Sequence, residues 1–208
     1  MPPETPRIGV PPPAKVGAPA PTVSLPSDLA VSLPEGDEGE RSVIAQMVLK
    51  ERAALTDMLG VPAAARVSVR FHPTTEAYEA ATGEPWFTLG TATATAGPKP
   101  VTTTAEAELQ FVPLAVLRER GVLERTIRHQ LVHVLADAAF AGRSRWVREG
   151  AALHFADGVN GPGNRGACPF DAEFARSGSA GALGEVYARA RACFERQLTS
   201  GRPWREIR

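Results

Sequence analysis

Residues 122–140 read VLERTIRHQLVHVLADAAF, and this stretch decides the fold. Leu123, Ile127, Leu131, Val134, Leu135 and Ala138 recur at helical spacing, which predicts a long helix with one broad apolar face. Such a face must be covered, so the flanking sequence has to supply packing partners. Downstream, the same periodicity predicts helices over 145–157 and 180–198, separated by a Gly/Pro/Asn-rich loop at 158–166. Upstream, it predicts a helix over 38–59 stopped by Gly60-Val61-Pro62, and short helices over 75–81 and 114–119. Alternation of apolar and polar residues predicts strands at 67–71, 86–95 and 108–112, the last two joined through a loop at Gly97-Pro98. Strands come first and helices after, the order of an α+β domain: a small N-terminal antiparallel or mixed sheet followed by a helical subdomain.

Ten of the 19 prolines fall within the first 34 residues, so 1–24 is expected to be a flexible tail or linker and 25–208 a single domain. Lysine plus arginine equals aspartate plus glutamate at 23 each, which leaves no basic field for nucleic acid or anionic lipid. No apolar run is long enough to span a bilayer, and no secretory signal is visible at the N-terminus. The chain therefore reads as soluble, and a monomer is expected. Cys168 and Cys193 bracket a segment that could bring them together as one disulfide, which implies an oxidising compartment: secreted, periplasmic or cell-envelope. Two buried free thiols are the alternative reading.

Within the long helix stands His129-Gln130-Leu131-Val132-His133. Two histidines four residues apart differ by about 40° around a helix and about 6 Å along it, so both rings can address one metal ion, and the spacing suits zinc (Zn2+). A third ligand is needed. Glu149 follows sixteen residues after His133, and a turn followed by the next helix brings it back beside the histidines. A glutamate flanked by Trp146 and Leu153 on an inward face is hard to bury without a cation.

The run 128–135 followed by Trp146-Val147-Arg148-Glu149-Gly150-Ala151-Ala152 resembles the gluzincin metallopeptidases of the peptidase MA-like group, whose pattern is an HExxH helix and a WxxEGxA helix. The resemblance covers about 30 residues closely and implies a minigluzincin-like fold, with His129, His133 and Glu149 as zinc ligands. It also implies that an edge strand, within 86–95 or 108–112, pairs with an extended peptide substrate, and that Tyr187 donates a hydrogen bond to the oxyanion formed in hydrolysis. An ordinary half-buried tyrosine is the alternative for Tyr187.

The chain departs from the family at its catalytic position. Where the family has a glutamate that takes a proton from water and passes it to the leaving amine, this chain has Gln130. An amide has the same shape but cannot carry that proton near neutral pH. The expectation is a zinc metallopeptidase-like domain with impaired hydrolysis, or a zinc-bearing pseudopeptidase that holds peptides or cell-wall material, with activity rising on Gln130→Glu. Glu124 and Asp137 are the nearest carboxylates along the helix, and Asp137 is better placed to support His133 than to replace the base. His72 reads as structural or exposed, and His154 as facing away from the metal. Arg143, Arg145 and Arg148 form a basic cluster between the two site helices. It could attract a substrate carboxylate or acidic glycan, although a solvated turn is the preferred reading.

Overall fold

A computed structural model describes residues 25–62, 66–95, 106–158 and 166–208. The expected tail at 1–24, the turn at Gly97-Pro98 and most of the loop at 158–166 lie outside these residues. The fold is α+β, a four-stranded mixed sheet with seven α-helices among the described residues. β1 (Leu29–Ser32), β2 (Arg66–Phe71) and β4 (Glu106–Phe111) run parallel, and β3 (Gly90–Thr95) is antiparallel to β4, giving the order β1-β2-β4-β3. β3 is therefore an edge.

Alternation explains which face of the sheet is covered. Val67, Val69 and Phe71 on β2, with Ala107, Leu109 and Phe111 on β4, are all buried, and Phe71 stacks on Phe111 at 5.0 Å between ring centroids. Helix α1 (Arg41–Leu59) packs on β1 and on α4 (Leu123–Ala136), while α4 also lies along β3. α2 (Thr75–Thr82) and α3 (Leu114–Glu119) are short connectors. Behind α4 come α5 (Arg145–Asp157) and α7 (Ala180–Thr199), with the one-turn α6 (Asp171–Arg176) between them in sequence. No helix among the described residues is long and apolar enough to cross a membrane.

Several expected boundaries move. The helix expected over 122–140 ends at Ala136, and residues Ala138–Phe140 form a 3₁₀ turn whose Phe140 is buried against Phe194 and Trp204. Gly142, at φ 71°, then reverses the chain into α5, a conformation a side chain would oppose. The strand expected from 86 begins only at Gly90, because Trp86–Thr88 is a 3₁₀ turn behind Pro85. β1 and α6 were not expected. Cys168 and Cys193 form a disulfide with their Cα atoms 5.5 Å apart, so the free-thiol alternative is set aside.

α5 and α7 pack tightly against each other at Gly150. A Cβ on Gly150 would stand 2.6 Å from the Ala190 carbonyl oxygen and 2.8 Å from Phe194 Cβ. Any side chain there forces the two helices apart. Gly150→Ala is expected to lower stability by about 1–3 kcal/mol, the usual range for overpacking. Urea denaturation reads this directly, and an unchanged midpoint would contradict so tight a crossing.

Candidate metal centre

Four elements converge on one cavity of about 280 Å³. α4 contributes His129, Gln130 and His133, α5 contributes Arg145, Arg148 and Glu149, and the edge strand β3 forms the opposite wall with Gly90, Thr91, Ala92 and Ala94. Tyr187 reaches in from α7. The i, i+4 spacing on α4 puts both imidazoles on one face, and the turn at 138–144 folds α5 back so that Glu149 meets them.

The Nε2 atoms of His129 and His133 are 3.1 Å apart, and each lies 3.4 Å from Glu149 Oε2. These three groups can hold a metal ion. Glu149 is buried, and its Oε2 atom has no hydrogen-bond partner despite the two nearby nitrogens. A buried carboxylate oxygen left in that state is costly unless something else compensates it.

The protonation states suit a cation. Burial drives the Glu149 carboxyl towards its neutral form, but His133 and His129 outweigh that and hold it well below the ordinary carboxylate range. Burial, with the neighbouring His133, pushes the His129 imidazole below its ordinary value. A carboxylate beside a neutral imidazole is what metal coordination requires.

Glu149 is also braced from behind. Its Oε1 atom lies 3.5 Å from Arg145 Nε, and the Arg145 guanidinium sits 5.1 Å from the Phe174 ring centroid. The backbone N–H of Arg145 donates to Asp171 Oδ1 at 2.7 Å, so the start of α5 is tied to the start of α6. The basic cluster expected to be a solvated turn is thus divided. Arg145 and Arg148 line the cavity, with Arg145 engaged on Glu149, whereas Arg143 is not among the lining residues. Tyr187 packs between His129 and Phe174, at 6.4 and 5.9 Å between centroids. Burial and the Glu149 charge push its phenol far above the ordinary tyrosine range, so it remains a donor.

Other candidates fall elsewhere. Glu124 pairs with Lys50 Nζ at 2.7 Å and lines a different cavity, so it is not a substitute base. Asp137 lines the metal cavity but makes no hydrogen bond to His133 among the described residues. His154 Nδ1 meets Glu195 at 3.1 Å, away from the triad, and His72 is buried with Nε2 2.8 Å from Gln110 Oε1, a structural role. Comparison with family models, curated proteins and solved structures finds no match.

Gln130 has a partner that its position in the motif does not reveal. It is 4% exposed, and its Nε2 donates to the Gly90 carbonyl oxygen of β3 at 3.0 Å. Helix α4 is thereby tied to the edge strand. A glutamate in this place would turn an acceptor towards an acceptor, so Gln130→Glu is expected to lower stability by about 1–3 kcal/mol, the cost of an unsatisfied buried polar group. Thermal denaturation at pH 8 measures it, and a variant as stable as the native protein would show that the contact contributes little.

Proposed function

We propose that this protein is a zinc-bearing, metallopeptidase-like domain that binds an extended peptide and hydrolyses it poorly. The observation that carries the reading is the triangle of donor atoms around the orphaned Glu149 oxygen, with sides of 3.1, 3.4 and 3.4 Å. Ligands of a tetrahedral zinc site at the usual bond lengths stand roughly 3.3–3.5 Å from one another. Two imidazoles and one carboxylate are also a donor set that zinc favours over calcium or magnesium. A zinc ion held there supplies a Lewis acid that polarises a carbonyl and acidifies water.

The chain's own residues supply the rest. The hydrogen bond from Val112 N–H to Leu89 O sets the phase of the β3–β4 ladder, so the outward backbone groups of β3 belong to Gly90, Ala92 and Ala94. All three residues line the cavity, which supports docking of a peptide along that edge. Tyr187 is a protonated donor beside His129, suited to a developing oxyanion. Gln130 cannot take a proton from water or return it, which accounts for the poor hydrolysis. The disulfide supports a secreted, periplasmic or cell-envelope setting.

Purified protein is expected to carry near-stoichiometric zinc. His129→Ala and Glu149→Gln should each weaken binding at least about a hundredfold, beyond the loss typical of an outer-shell change. Metal analysis and competitive titration decide this, and a protein that takes up no zinc sinks the reading. On the zinc-loaded protein, Gln130→Glu should raise peptide hydrolysis despite its lower stability, and no gain in a broad peptide screen would count against a peptidase scaffold.

A further inference from the structure

The fixed orientation of the Gln130 amide has a chemical consequence for the cavity. An amide presents a donor face and an acceptor face, and which of them meets a ligand is set by what holds the other. Here the choice is forced, because a backbone carbonyl can receive a hydrogen bond only from the NH2 group, and Gly90 O stands 3.0 Å from Nε2. Gly90 itself is constrained: a Cβ there would lie 2.7 Å from the Phe111 ring of β4, so the strand that carries the carbonyl is closely packed on its neighbour. No donor meets the Gln130 oxygen among the described residues, and that oxygen is not fully buried. Gln130 lines the cavity, so this oxygen opens into it.

The neighbouring groups have different roles. Tyr187 and Arg145 are donors, and Glu149 belongs to the metal triad and to Arg145. Gln130 adds an uncharged acceptor held beside them on a helix that cannot easily turn it away. We infer that Gln130 is a specificity-determining residue: its locked oxygen selects ligands that carry an N–H beside a metal-binding oxygen, the arrangement found in a peptide amide or a hydroxamic acid. The inference rests on the metal reading above. An acceptor of this kind can orient the N–H of a bound amide while leaving its proton in place, which matches a site that holds a peptide for longer than it processes it.

A matched pair of probes tests this on the zinc-loaded full chain. Acetohydroxamic acid and N-methylacetohydroxamic acid offer the same two oxygens to a metal, and the second carries a methyl group where the first has its N–H. Their dissociation constants are measured by calorimetry on the native protein and on Gln130→Met, with zinc content determined for each. The native protein should prefer the N–H probe by about two- to tenfold, the worth of one net hydrogen bond. In Gln130→Met the preference should shrink towards the value set by methyl crowding alone. Equal affinities on the native protein overturn the inference without recourse to any variant, as does a preference that is undiminished in Gln130→Met. Zinc uptake without discrimination removes only the role of Gln130, whereas failure to take up zinc removes the metal reading with it.

Discussion

One buried carboxylate organises this molecule. Glu149 enters the interior between two imidazoles and a guanidinium, and one of its oxygens is left without a hydrogen bond. Removing a carboxylate from water costs several kcal/mol unless it is paired. Arg145 alone, 3.5 Å away and also bonded through its ring contact to Phe174, compensates one oxygen and leaves the other. The balance closes naturally when a cation occupies the space the three donors enclose. Without one, the sequence has spent a buried acid on an arrangement that a leucine would stabilise better.

Holding that acid in place requires more than the two histidines. α5 must approach α7 closely enough that Gly150, next to Glu149, admits no side chain, and its first turn must be tied down by Asp171 of α6. α6 is in turn held to α7 by Glu173 and Arg189 and flanked by the Cys168–Cys193 disulfide. Phe174 from the same short helix lies beneath both Arg145 and Tyr187. A six-residue helix has little stability of its own. Covalent and ionic ties therefore position one wall of the cavity, and the rigidity of the third donor is inherited from elements twenty and more residues away in sequence.

What could be read from sequence, and what could not, divides along the range of the interactions. The His-x-x-x-His spacing and the downstream Trp-x-x-Glu-Gly are local patterns on helices with strong apolar periodicity, so the helix pair and the three convergent residues were legible. The sheet was legible as strands, but its parallel core was not, because β1 is only four residues long and pairs with β2 across an intervening helix. α6 was missed for a related reason: one turn between loop residues carries no period to detect. Arg145 looked like a surface residue because a turn with three arginines reads as solvated, and nothing nearby announces that Glu149 and Phe174 enclose its side chain. Gly90 and Gln130 are forty residues apart, and no local rule links them.

The Gln130–Gly90 contact also changes what the departure from the HExxH pattern means. Taken as a motif, glutamine at this position is a loss: the hundredfold to ten-thousandfold contribution of a general base is forfeited. In the folded chain the same amide satisfies a strand carbonyl that a carboxylate would leave facing another acceptor, so the residue gains a structural bond as it gives up a chemical one. The two effects act on different quantities. Losing the base raises the barrier to turnover and leaves ligand affinity largely alone, whereas the tie between α4 and β3 stiffens the wall against which an extended ligand would lie. On the proposed metallopeptidase-like reading, the two effects together favour long residence of a ligand over rapid processing. The other features of the cavity, three groups that can hold a metal ion, a strand edge and a protonated tyrosine, are compatible with such holding.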